Sequence, residues 1–289
     1  MAIPAIHPAW SRAPEGATEG YSIEITAKDV PALTDTAHRI APDTPIAITF
    51  LPGETIDARI SAAVAVRRLG FEPMPHLSAR RIASYEELEE SVTRSVAEAG
   101  AKRMFLVAGD PPTPAGPFAD TMALLDTGLF ERHGIAAIGI AGHPEGHPAM
   151  TESACWEALE TKRADISARG MATLIVTQFG FDADPFLRWL ETLRARGIDA
   201  PVRIGVPGPA GIKTLLRYAA HCGVGASAAV MAKYGISLTR LLGTAGPDAL
   251  VDRLAAGLTP AHGPVRLHFY PFGGLGRTVE WINDYQAHQ

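Results

Sequence analysis

The residues of this chain with chemistry to offer stand where short apolar runs stop. Gly109-Asp110-Pro111-Pro112 directly follows the run Arg103–Ala108, the pattern of a buried strand breaking into a rigid loop. Its two prolines fix φ and remove two backbone donors, so the chain can neither keep pairing nor enter a helix interior there. A carboxylate is thereby held at a strand's end, where an enzyme's loops carry its chemistry. Turn capping alone would explain an isolated Gly-Asp-Pro. Here the design recurs at Glu24, Thr49, His76, Gly142-His143-Pro144-Glu145-Gly146-His147-Pro148, Thr177-Gln178-Phe179, Gly205–Pro209 and His268-Phe269-Tyr270. Core positions seldom recruit Glu, Asp, His and Gln together, so a structural role explains any one member and not the set.

The residue types narrow the reactions. Glu24 and Asp110 are two carboxylates suited to proton transfer or charge stabilisation, without a third or fourth set out for a metal. His143 and His147 have a helical metal spacing, but Pro144 and Pro148 interrupt the segment, which argues against a zinc site. The glycines at 205–211 offer backbone N–H groups to a phosphate, although Gly208 to Lys213-Thr214 lacks the phosphate-loop spacing. Ser78 and Cys222 read as loop and helix residues, not nucleophiles. What remains is a polar rim suited to a large polar cofactor.

Such a rim needs a frame that gathers strand ends. Candidate strands fall at Tyr21–Thr26, Pro45–Phe50, Phe71–His76, Arg103–Ala108, Ala136–Ala141, Thr173–Phe179, Val202–Val206 and Val265–Tyr270. Helical patterns lie between them, as at Val30–Ile40, Ile56–Leu69, Ser84–Ala99, Lys213–His221 and Asp248–Ala256. Eight alternations with no linker predict a single α/β domain, a (β/α)8 TIM barrel over residues 21–289, preceded by a loose arm over residues 1–20. A doubly wound sheet would call for an early Gly-x-Gly-x-x-Gly turn, which is missing. Residues 223–264 hold more helix than one barrel unit needs, which predicts an extra helical insertion before the last strand.

Composition agrees with a globular enzyme. At 289 residues, 47% hydrophobic and 20% charged, the chain can bury a substantial core. A net charge of −5 with interspersed signs excludes a nucleic-acid or membrane surface as its main partner. No apolar run approaches the ~20 residues of a membrane span, and residues 1–20 lack the order of a signal peptide. Two cysteines, Cys155 and Cys222, are too few for a disulfide framework, so a reducing cytoplasm is expected. Monomer and homo-oligomer both stay open.

The series Ser22-Ile23-Glu24, Pro75-His76-Leu77-Ser78, Gly109-Asp110-Pro111-Pro112, His143–Pro148 and Thr177–Asp182 resembles, in order and spacing, the methylenetetrahydrofolate reductase family. The likeness runs on to His268-Phe269-Tyr270. It implies a barrel that binds FAD noncovalently and interconverts 5,10-methylenetetrahydrofolate and 5-methyltetrahydrofolate. By that resemblance Glu24 is the general acid at the folate N10, and Asp110 lies near flavin and pterin. Gln178 hydrogen-bonds the pterin, Tyr218 stacks on substrate, and Arg277, after a shift in spacing, holds the folate's glutamate tail. Thr49, His76, Ala108, Gly109, Asp110, His143, His147 and Lys162 line the FAD.

Departures from the family pattern fall in the flavin pocket. Ala108 replaces a common Arg, His143 replaces a Tyr, Ile25–Asp29 replaces an aromatic and prolines, and Lys162 and Arg163 are displaced. NADH and NADPH both remain open as donors, as does a role chiefly in oxidising 5-methyltetrahydrofolate. Two other readings are a flavin-free pterin-dependent methyltransferase and a non-enzymatic folate-binding barrel.

Overall fold

In a β-strand successive side chains point to opposite faces, so each run that alternates small or polar with branched apolar residues has an inside and an outside. The computed structural model, which describes residues 16–225 and 244–288, shows how that alternation is used. Strands β1 (Ser22–Ile25), β2 (Pro45–Ile48), β3 (Glu72–Ser78), β4 (Arg103–Val107), β5 (Ala137–Gly142), β6 (Ala172–Phe179) and β7 (Val202–Pro207) are barrel staves. Two short strands, β8 (Ala210–Gly211) and β9 (Thr244–Ala245), form a separate antiparallel pair, and β10 (Val265–Tyr270) is the eighth stave. The staves are parallel and close in the order β1-β10-β7-β6-β5-β4-β3-β2. This is the expected (β/α)8 barrel, and each expected strand starts within about one residue of the observed one. Strand β3 runs two residues past expectation because Leu77 and Ser78 still pair with Leu106 and Val107.

The branched residues face out. Ile23, Ile25, Ile46, Ile48, Ile138, Ile140 and Ile204 join the main core between sheet and helices. A second cluster of Ala47, Met74, Phe105, Leu174 and Val176, with Val107 and Ala141, fills the inside of the barrel. Gly139 makes room there, since a Cβ on it would run into the Phe105 ring. The barrel is a packed core, not a pore.

Helices α1 (Val30–Thr36), α2 (Ile56–Arg68), α3 (Tyr85–Ala99), α4 (Thr121–Leu125), α5 (Leu129–Arg132), α6 (Glu152–Ala168), α7 (Ala183–Ala195), α8 (Ile212–Cys222), α9 (Asp248–Gly257) and α10 (Leu275–Ala287) surround it. Their ends follow local chemistry. Ser84 caps α3 by accepting the Glu87 N–H, Thr151 caps α6 through Ala154, and Gly100 ends α3 at φ 60°, in the left-handed region glycine tolerates. Between β7 and β10 two helices, α8 and α9, stand where one barrel unit needs one. The rest of the expected insertion, residues 226–243, lies outside the described residues, as do residues 1–15 of the expected arm.

The N-terminal end of the barrel is closed by arginines. Arg203 is 1% exposed and donates to the Gly20 carbonyl at 2.9 Å. Burial lowers it to about 9, with Arg103 and Arg266 pushing the same way.

Candidate active site

The C-terminal end is where the polar residues gather. Glu24 and Ser22 alternate with the outward Ile23 and Ile25, so both point into the barrel. Ala47 stands opposite Glu24 on β2 and is too small to reach it, which leaves the carboxylate open to the next staves. Glu24 Oε2 is 3.8 Å from His76 Nε2 on β3 and 3.7 Å from His268 Nε2 on β10. Both distances exceed a direct hydrogen bond.

Burial keeps both imidazoles neutral. His76 is lowered to about 4 by desolvation, which the Glu24 charge opposes and His268 reinforces. His268 is lowered by the same cause, with Glu24 again opposing. Its Nδ1 is 2.7 Å from Ser22 Oγ. The pair is buried, and the other ring nitrogen, Nε2, faces Glu24. Tyr270, next on the inner face of β10, donates its hydroxyl to the Thr177 carbonyl at 3.0 Å. Burial raises its phenol well above the ordinary value, and the Glu24 charge adds to this.

Gln178 owes its place to an irregularity. Val176 pairs with Arg203 but Phe179 with Gly205, so β6 carries an extra residue and bulges. Thr177 Oγ1 accepts the Gly205 N–H at 2.9 Å and closes the bulge, while Gln178 Oε1 accepts the Phe179 N–H at 3.0 Å. Gly205 leaves no room for a Cβ, which would lie 2.7 Å from the Thr177 carbonyl oxygen.

The other expected residues divide into those near this centre and those on its rim. Thr49 ties β2 to β1 by donating its hydroxyl to the Ile25 carbonyl at 2.8 Å. The Ala108 carbonyl accepts the Arg80 N–H at 2.9 Å. Gly109 adopts φ 94°, and a Cβ on it would run into Ser78 Oγ, so only glycine fits this turn. Asp110 is 86% exposed and pairs with Arg81 at 3.3 Å, so its carboxylate is presented outward. The rings of His143 and His147 meet edge to face at 4.9 Å, and His147 Nδ1 accepts the Ala149 N–H at 3.1 Å. His143 is lowered to about 4, by burial first and then by His147 and Lys162. Lys162 is itself lowered by burial, opposed by Asp120 and Cys155. Tyr218 on α8 stacks on Phe272 at 4.1 Å, and Phe272 stacks in turn on Tyr270. Arg277 is exposed in the first turn of α10.

Sequence reasoning assigned no role to Ser22, His268, Tyr270, Phe272, Glu145 or Cys222. Burial raises the Cys222 thiol, and the charges of Asp110 and Glu24 add to that. The alternation of Ser22 with Glu24, and of His268 with Tyr270, could have marked three of these as inward-facing.

The residues present suit a flavin dinucleotide. Lys162, half-buried near His143, offers a cation to a diphosphate.

A (β/α)8 barrel with a carboxylate between two neutral imidazoles at its C-terminal mouth has the build of a barrel enzyme's active face. Comparison with known proteins narrows this. The chain belongs to the methylenetetrahydrofolate reductase family, whose sequence model matches residues 19–270. It is 30% identical over 152 residues to the 5,10-methylenetetrahydrofolate reductase of Pectobacterium carotovorum subsp. carotovorum, a match over 53% of this chain and 49% of that protein. It is also 30% identical over 153 residues to methylenetetrahydrofolate reductase 2 of Saccharomyces cerevisiae, over 50% of this chain and 24% of the other. These matches thus span about half or less of the curated relatives' length. In fold the chain is similar to an uncharacterized protein from Clostridium thermocellum that binds two copies of 5-methyl-5,6,7,8-tetrahydrofolic acid. That likeness has a TM-score of 0.59 and 13% identity, covering 92% of this chain and 93% of that one.

Proposed function

We propose that this barrel interconverts 5,10-methylenetetrahydrofolate and 5-methyltetrahydrofolate, with FAD held noncovalently at its C-terminal mouth. The observation that carries the reading is Glu24, an inward carboxylate at the mouth of a barrel belonging to this family. FAD, when bound, supplies the hydride chemistry that no amino-acid side chain can. Lys162, His143, His147, Thr49, His76 and the Ala108-Gly109-Asp110 turn are the residues that would hold it.

The chain's own work is proton placement and orientation. Glu24 gives its proton to the folate N10, and the C–N bond to the bridging carbon breaks with its electron pair going to N10. The positive charge left at N5 develops where the Asp110 carboxylate can stabilise it. Burial keeps His76 and His268 neutral beside Glu24, and Ser22 Oγ holds the His268 ring through Nδ1. Gln178, aimed by the β6 bulge, meets the pterin's donor and acceptor edge. Tyr218 offers a ring face to the substrate, and Arg277 a cation to its glutamate tail.

The test is anaerobic mixing of the FAD-loaded protein separately with NADH, NADPH and 5-methyltetrahydrofolate, following the flavin's visible band. Bleaching by 5-methyltetrahydrofolate is expected, and bleaching by one of the nucleotides identifies the donor. A chain that takes up no FAD from excess, or whose flavin is untouched by the folate, overturns the reading.

A further inference from the structure

The chain leaving α8 folds back onto the loop after β5, where one carboxylate holds it. Glu145 Oε2 accepts the Gly225 N–H at 3.0 Å. Space for the carboxylate is made on both sides. A Cβ on Gly180 would stand 2.6 Å from Glu145 Oε1, and one on Gly225 2.7 Å from Oε2. Gly223, at φ 68°, also lies against the same loop, because a Cβ there would meet Pro148 at 3.1 Å. The result is a narrow gap with Gln178, Phe179 and Phe186 on one side and Cys222, Gly223 and Val224 on the other.

Packing alone does not call for an acid at this place. Glu145 Oε1 is buried with no hydrogen-bond partner among the described residues, a cost that an apolar side chain of similar size would avoid. Burial raises the carboxyl's pKa, Asp182 adds to this, and the Gly225 N–H opposes it. An acid kept at such a cost, with glycines on two elements shaped around it, is explained by the bond it makes.

We propose that Glu145 is a positioning residue that clamps the Cys222–Gly225 segment over Gln178 and so forms one wall of the substrate mouth. The identity of the substrate rests on the folate reading above; the clamp does not.

Differential alkylation tests both parts. Cys222 is labelled with iodoacetamide in the FAD-loaded protein and read by peptide mass spectrometry, with Cys155 as internal reference. Glu145→Ala should label Cys222 at least about fivefold faster than the parent protein, the equivalent of one lost hydrogen bond. Cys155 should not change. Glu145→Gln keeps an amide oxygen for the Gly225 N–H and should label within about twofold of the parent. Glu145→Ala should also raise KM for 5-methyltetrahydrofolate by a similar factor with kcat and the flavin spectrum unchanged, and Glu145→Gln should restore it. Unchanged Cys222 labelling in Glu145→Ala, or equal opening in both variants, overturns the clamp. Labelling that responds as expected with no change in KM for 5-methyltetrahydrofolate overturns the segment's place in the substrate wall, whereas a parent protein whose flavin 5-methyltetrahydrofolate leaves untouched overturns the folate reading alone.

Discussion

The neighbours of the Glu24 carboxylate are imidazoles that burial keeps uncharged, and this has a consequence for acid stability. His76 and His143 are each lowered from 6.5 to about 4 in the folded chain, whereas unfolded histidines titrate at the ordinary value. The unfolded state therefore takes up protons first as pH falls. Their contribution is complete above about 6.5 and is lost progressively down to about 4, so stability rises with pH across that window. Urea midpoints at about pH 5 and about pH 7 should show the loss, and His76→Gln should remove part of it, on the order of 1–3 kcal/mol. No pH dependence between those values, or a steeper one in the variant, would contradict the burial argument. Asp110 behaves differently because it is 86% exposed and pairs with Arg81 at the surface. Asp110→Asn should change stability by less than about 0.5 kcal/mol while slowing folate turnover and shifting the flavin's potential. A redox titration beside a thermal melt separates the two effects. At this scale, the polar rim was legible because strand ends were legible. The pairing of Ser22 with His268 was not, since the two are brought together only when β1 meets β10 and closes the barrel.

Among the elements, β6 carries an extra residue between Val176 and Phe179, in the stretch that holds Gln178. Thr177 seals that bulge by accepting the Gly205 N–H from the neighbouring strand. Thr177→Val keeps the shape and removes the acceptor, so a buried donor is left unmet at a cost of about 1–3 kcal/mol. Denaturant unfolding should show that loss, and KM for folate should rise with it. A variant of full stability and unchanged KM would mean the bulge is held by other contacts. Within β5, Gly139→Ala should cost about 1–3 kcal/mol, because its methyl group would displace the Phe105 ring in a filled barrel. Apolar runs ending in Gly, Pro and polar residues were enough to find every stave. The bulge and the Gly139–Phe105 fit were not visible, because each depends on register and packing between strands and not on any local pattern. The short helices α4 and α5 were missed for a related reason. Each has too few residues to show a period, and they are held by tertiary contacts.

For the whole molecule, the two ends of the barrel do different work. The N-terminal end is closed by Arg203 and its arginine neighbours with backbone carbonyls as partners, and the C-terminal end collects Glu24, the imidazoles and the loops. That division was readable from alternation of strand and helix once eight staves were counted, because a barrel places every strand's carboxyl end on one face. The return of the chain after α8 was not readable, since nothing near Glu145 in sequence announces Gly225. In the proposed reaction Glu24 handles the folate proton and has no part in loading the flavin. This role is tested most directly by anaerobic stopped-flow on Glu24→Gln in both half-reactions. Flavin reduction by the nucleotide that reduces the parent protein should stay within about threefold of the parent rate. Reaction with either folate should fall by about 100-fold or more, the range general acids contribute. A folded, FAD-loaded Glu24→Gln that keeps most of the parent's folate rate would contradict the account.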